Sequence, residues 1–374
     1  MIVLRALLLA TVLGVGLAAV PAGAQTYTAW DLGGLSTLAS GTTGMNAKGQ
    51  VVGESYTRSS SLHAFMTGAN GAGMVDLRTL GGSTSRANGI NDAGQVVGDS
   101  YTVGNSVYHA FVTGANGAGM TDLGTLGGTQ SYAEGINNTG QVVGVSFTAG
   151  DWSQHAFITG ANGASMTDLG TLGGGTSIAC GVSATGRVVG WSDTMLYGPS
   201  HAFITGANGV GMIDLGTLGG DNSFARSINA MGQVVGESFT TAYGTTHAFI
   251  TGANGVGMID LGTLGGTYSS GLAINAIGQV AGYSYVAGDA AYHAFVTGAN
   301  GVGMVDLNSL VTLGGGAYFT EATAINDLGQ IAAGASDGHI YLISAVPEPA
   351  SFAMVLSGLG LVGFVARRRQ RPSA

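Results

Sequence analysis

The sequence predicts an all-β fold, a seven-bladed β-propeller of 46-residue repeats closed by its N- and C-terminal strands, flanked by a signal peptide and a C-terminal transmembrane helix. Three observations carry this expectation. A phrase opening His-Ala-Phe recurs with its histidine at His63, His109, His155, His201, His247 and His293, each 46 residues from the last. Each period holds four short apolar segments between turn signals, and four-stranded repeats of about 40–50 residues are the signature of propeller blades. The region also begins and ends on complementary half-periods. Residues 27–35 carry the Asp-Leu half with no histidine strand before it, and residues 339–344 carry a histidine strand with no Asp-Leu half after it.

Within the period 123–168 the predicted strands are SYAEGI, QVVGVSF, HAFITG and MTDLG. Asn137-Asn138-Thr139-Gly140 joins the first pair and suits a type I turn closed by a left-handed glycine. Ala-Asn-Gly joins the second pair, where Asn-Gly supplies positive backbone dihedrals. The strands read as nearly continuous apolar runs, which indicates sheets covered on both faces. If residues 27–32 pair with 339–344, the ring is latched and its strand edges are removed. A linear solenoid would instead need distinct capping units. The final repeat is expected to carry a modified loop, because DLNSLVTLGGG is longer than the usual DLGTLGG.

Composition supports a folded chain. It is 45% hydrophobic and only 8% charged, the reverse of a disordered sequence, and its 69 glycines fall at fixed turn positions. Between residues 25 and 345 there are 6 basic and 19 acidic side chains, a net charge of −13. Such a surface repels nucleic acid and anionic lipid, so no nucleic-acid partner is expected.

Three regions follow: a signal peptide at 1–24, a propeller at 25–345 and a sorting and anchor segment at 346–374. The first has an early charge at Arg5, an apolar run, and small residues at Ala22 and Ala24, which is the form of a secretory signal cut after Ala24. In the last, Pro347-Glu348-Pro349 precedes 17 uncharged residues, 350–366, and then Arg367, Arg368 and Arg369. A helix over that stretch would be about 25 Å long, enough to span a bilayer with the arginines held on the cytoplasmic side. The order of rigid tripeptide, apolar run and arginine patch resembles the PEP-CTERM sorting signal of Gram-negative bacteria that make exopolysaccharide. The resemblance implies an exosortase-type membrane protease as partner, passage through the inner membrane, cleavage near Pro347-Glu348-Pro349, and delivery to the cell surface or extracellular matrix.

No residue within the repeat is singled out for catalysis, metal or cofactor binding. The seven histidines share one position in the period, so closure spreads them around a circle, while a ligand set needs side chains about 2 Å from one ion. A hydrogen bond within each blade is the simpler expectation for them, and a strand-end acceptor role for the repeated aspartates. Cys180 takes a slot filled elsewhere by Asn88, Glu134 and Arg226 and reads as a variant, not a nucleophile. Ligand-binding candidates come from irregular stretches: Trp152, Trp191 and Tyr197.

The phrases HAF, DLGTLGG and GINxxGQVVG together resemble the HAF-repeat family of extracellular bacterial proteins over residues 27–344, a family without a settled biochemical activity. His339-Ile340-Tyr341 departs from the motif. The expected function is that of an exported, non-enzymatic surface or matrix protein that binds exopolysaccharide or partner proteins in a biofilm. The competing readings are an exported polysaccharide hydrolase or lyase on a propeller scaffold, and an ice-binding protein. The last requires a flat threonine array, which threonines 46 residues apart on a ring do not supply.

Overall fold

The turn chemistry of each repeat builds a four-stranded antiparallel meander. The computed structural model describes residues 27–36, 40–241 and 244–346. In one representative unit, strands Gly127–Ile136, Val142–Thr148, Gln154–Thr159 and Met166–Asp168 pair in chain order. The first turn is closed by the Gly140 N–H donating to the Asn137 carbonyl at 3.0 Å, with Gly140 at φ +78°. The second holds Asn162 at φ +55° and Gly163 at φ +75°, a left-handed pair that Asn and Gly adopt at least cost. The glycine of the Val-Val-Gly run answers a different demand. A Cβ on Gly144 would lie 2.0 Å from the Tyr132 carbonyl oxygen of the neighbouring strand, so no larger residue fits.

The expectation of seven separate four-stranded blades is corrected by the hydrogen bonding. Five four-stranded blades stand separately, whereas the strands from Gly219–Ile228 to Met304–Asp306 form one eight-stranded sheet. The join is a single parallel pair, Thr246 with Tyr268. It becomes part of a sheet because Gly265–Ile274 is a ten-residue strand that already includes Tyr268. The corresponding pair Gln154–Thr176 stays an isolated bridge, since Thr176 precedes the shorter strand Ser177–Val182. The predicted C-terminal transmembrane helix lies outside the described residues, as does the signal peptide. Among the described residues, no helix is long and apolar enough to cross a membrane.

The closing sheet is built from both ends of the repeat region. Tyr27–Asp31 runs antiparallel to Ile340–Ala345, with Tyr27 opposite Ala345 and Asp31 opposite Tyr341. Phe319–Ile325 and Ile331–Ala335 complete it. Asn308, in the longer final loop, clamps this sheet by accepting from the Phe319 N–H at 2.7 Å and donating to its carbonyl at 3.0 Å.

The core lies between sheets instead of within one. Val143, Ala156 and Ile158 of one unit pack on Ala179, Val188 and Phe203 of the next. Phe65, Phe111, Phe157, Phe203, Phe249 and Phe295, each following a repeated His-Ala, are all fully buried. Each sheet is therefore covered on both faces, which is why its strands read as unbroken apolar runs.

Each repeated aspartate anchors two partners. Asp122 Oδ2 accepts from the His109 Nδ1–H at 2.7 Å, and its Oδ1 accepts from the Gly124 N–H at 2.7 Å. The second bond bends the chain so that the residue after Asp-Leu takes positive φ: Gly124 +69°, Gly170 +70°, Gly216 +72°, Gly262 +70°. Arg78 occupies that position at φ +68°. A side chain there costs roughly 1–2 kcal/mol. Replacing Arg78 by Gly is expected to stabilise the fold by about 1 kcal/mol net of glycine's added unfolded-state entropy, read as a melting temperature higher by about 2–4 °C.

Candidate functional site

Two features break the internal symmetry where a ligand could reach: the axial channel and the loops opposite its mouth. The first strands of the units line the axis. At one mouth a belt of asparagines passes hydrogen bonds from unit to unit. The Asn46 Nδ2–H donates to the Asn91 carbonyl at 3.0 Å, Asn91 to Asn137 at 3.1 Å, and Asn137 to Ser183 at 3.0 Å. Beyond Ser183 the belt resumes from Asn229 to Asn275 at 3.1 Å and Asn275 to Asn326 at 3.2 Å, and Asn326 returns to Asn46 at 3.4 Å. The last bond joins the final repeat to the first across a separation of 280 residues. Asn46, Asn91, Asn137, Asn229 and Asn326, with Asp92, Asn138 and Asp327, line a cavity of about 280 Å³.

Further along the axis, a second cavity of about 250 Å³ presents one residue from the same slot of each repeat: Thr43, Asn88, Glu134, Cys180, Arg226, Leu272 and Thr323. The neighbours of this slot stay small from repeat to repeat, yet the slot itself holds six residue types in seven repeats, with threonine alone occurring twice. Burial pushes the Glu134 carboxyl up to about 7, with Asp99 adding to the shift, and pushes the Cys180 thiol up to about 12. A thiol so poorly ionised is a weak nucleophile. Arg226 is held by Glu237 at 2.5 Å. Among the described residues no group of three or more His, Cys, Asp or Glu could hold a metal ion.

Every histidine bonds an aspartate through Nδ1. Six do so within their own unit, as in His201–Asp214 at 2.7 Å and His247–Asp260 at 2.9 Å. The seventh, His339, reaches Asp31 at 2.7 Å and so joins the two ends of the repeat region. Asp31 hydrogen bonding, aided by its charge, raises the His339 pKa. The glutamines after the first turn tie neighbouring units together. The Gln95 Nε2–H donates to Asn162 Oδ1 and the Gln141 Nε2–H to Asn208 Oδ1, both at 3.2 Å. Arg187, which replaces glutamine in its repeat, donates to Asn254 in the same way.

The three aromatic candidates are not brought together as one site. Trp152 and Tyr197 lie in the turns between the second and third strands of adjacent units and are 92% and 99% exposed. Strand alternation puts both turns on the face opposite the asparagine belt. Trp191 is not a loop residue. It sits in strand Val188–Asp193, its ring edge-to-face with Phe224 of the next unit at 5.6 Å. Ala24, Pro347, Glu348, Pro349, Arg367, Arg368 and Arg369 lie outside the described residues. Sequence reasoning did not single out the axial slot as a site, although the change from Asn88 to Glu134, Cys180 and Arg226 was its visible signal.

Residues 345–369 match the PEP-CTERM protein-sorting motif. Such signals are processed by exosortases, and the motif points to export and a cell-surface location. No curated protein matches the chain. Among solved structures, puromycin hydrolase shares 14% identity at a TM-score of 0.52, over 81% of this chain and 51% of its own. The β-propeller domain of the Trilobed protease from Pyrococcus furiosus shares 9% identity at a TM-score of 0.51, over 79% of this chain and 91% of its own. TolB from Acinetobacter baumannii shares 10% identity at a TM-score of 0.43, over 77% of each chain. At the identities of puromycin hydrolase and the Pyrococcus domain the likeness bears on fold alone. The Pyrococcus domain has an open velcro topology, whereas here Tyr27–Asp31 completes the closing sheet. The chain combines a PEP-CTERM sorting motif with a propeller fold.

Proposed function

We propose that this is a non-enzymatic protein of the cell surface or extracellular matrix whose propeller binds exopolysaccharide or partner proteins in a biofilm. The observation that supports the reading best is the union of a PEP-CTERM motif with a rigid ring whose repeated polar residues are spent on internal bonds. What remains for recognition is the variable material, including the outward-facing Trp152 and Tyr197. The resemblance of the repeats to the HAF-repeat family of extracellular proteins agrees with it. Export through the signal peptide, passage through the inner membrane and exosortase cleavage near Pro347-Glu348-Pro349 belong to the same reading.

Co-sedimentation of the full-length chain, purified in detergent micelles, with the producing organism's own exopolysaccharide tests it. The expected result is retention in the pellet, weakened several-fold by Trp152→Ala with Tyr197→Ala. Absence of retention on that polymer would reject polysaccharide binding and leave partner proteins as the ligand class.

A further inference from the structure

Tyr268, Tyr283, Tyr285, Tyr292 and Glu321 line a cleft of about 380 Å³, between the end of the eight-stranded sheet and the closing sheet. The size lies within the range of small-ligand sites. The four rings form a closed circuit in which each meets two others. Tyr268 faces Tyr283 at 5.7 Å and Tyr285 at 6.3 Å, while Tyr292 meets Tyr283 at 5.8 Å and Tyr285 at 6.0 Å. Three of these pairs are steeply inclined, at 81°, 65° and 90°, so the rings wall a box and do not stack shut. The contrast lies within the same molecule. Tyr101 and Tyr108, at the positions of Tyr285 and Tyr292 four repeats earlier, stack at 3.8 Å and 27° and fill their own space.

Glu321 is the charged residue of the lining, and no lysine or arginine joins it. It stands opposite Gly334 in the closing sheet, where the absence of a side chain leaves it room. Among the described residues no hydrogen bond or ion pair reaches it, in contrast to Glu237 one junction earlier, which is satisfied by Arg226 and Ser270. A half-buried carboxylate without a partner calls for a cation, and tyrosine faces attract one as well. The phenol hydroxyls supply donors and acceptors suited to sugar hydroxyls. The cleft adjoins the turn of residues 287–291, which is the same turn of the repeat that carries Trp152 and Tyr197.

We propose that this cleft is a saccharide subsite selective for amino sugars with a free ammonium group, in which Glu321 pairs with the ammonium and the tyrosine rings pack on the sugar. The assignment rests on the polysaccharide reading above and names its ligand chemistry.

Calorimetric titration of the full-length chain in detergent micelles at pH 6, with the β-1,4-linked glucosamine tetramer and its N-acetylated counterpart, tests it. The free-amine tetramer is expected to bind at least ten-fold more tightly. Glu321→Gln, which keeps the side chain's shape, is expected to erase that preference while melting at or above the parent's temperature. Tyr292→Ala, at a residue already 44% exposed, is expected to weaken both ligands. Equal binding of the two tetramers, or a preference that survives Glu321→Gln, would overturn the amino-sugar assignment and leave the broader polysaccharide reading standing. Retention on the organism's polymer combined with no tetramer binding would likewise reject the cleft alone.

Discussion

Deleting residues 27–31 is expected to lower the melting temperature by roughly 10 °C and to promote self-association. The five residues pair along Ile340–Ala345, so their loss leaves that strand as an open edge. They also remove Asp31, the partner of His339. Ile340, Leu342 and Ile343 are at most 1% exposed in the closed ring. Burying such a side chain is worth about 1.5–3 kcal/mol, and partial uncovering of three gives a loss of roughly 3–6 kcal/mol. For a domain of this size each kcal/mol moves the midpoint by about 2–4 °C. Thermal denaturation with light scattering reads both effects. A deletion that melts with the parent and stays monomeric would show that the ring does not depend on its latch.

Asp99→Asn is expected to stabilise the protein by about 1–3 kcal/mol at pH 8 and to do little at pH 4. Asp99 is 3% exposed, and among the described residues its Oδ2 has no hydrogen-bond partner. Burial raises its pKa to about 6, against the pull of Arg86 and an Asn88 hydrogen bond at 3.3 Å. The unfolded value is about 3.9. Between these two values the folded protein holds a proton that the unfolded chain has released, so stability falls as pH rises through that window. Glu134, raised to about 7, acts in the same sense. The parent should therefore gain stability on acidification from pH 8 to pH 5, and the Asn variant should show less of that gain. Melting curves across this range check both slopes. A parent that loses stability on the same change would contradict the burial argument.

Much of the ring was legible in the sequence, because closely similar repeats must make closely similar contacts. The Asn-Gly turns and the Asn-x-x-Gly turns follow from short-range chemistry repeated at a fixed spacing, and the pairing of the terminal strands from the complementary half-repeats they carry, while their register, Tyr27 opposite Ala345, came from the structure. An in-blade hydrogen bond for each histidine was legible in the same way, whereas its partner, the aspartate 13 residues on across the third and fourth strands, was supplied by the structure. Separation into seven equal blades was not legible. Whether Thr246 and Tyr268 fall inside hydrogen-bonded strands or just outside them depends on strand ends, which one extra residue of extension can shift. Trp191, which the sequence groups with the irregular stretches because it varies between repeats, lies in strand Val188–Asp193. In this fold, variable positions also occur where one sheet packs on the next and where strands face the axis.

The sequence by itself determined the repeating strand, the turn chemistry, the complementary halves at the two ends of the repeat region and the sorting motif. Each depends on residues near one another in the chain or on a spacing that can be counted. Tertiary structure alone decided which non-repeating side chains share a space. Thr43, Asn88, Glu134, Cys180, Arg226, Leu272 and Thr323 meet on the axis although they are spread over 281 residues, and Glu321 meets four tyrosines across a boundary between sheets. Those neighbours are fixed by how one sheet packs against the next, and the period of the sequence carries no record of that geometry.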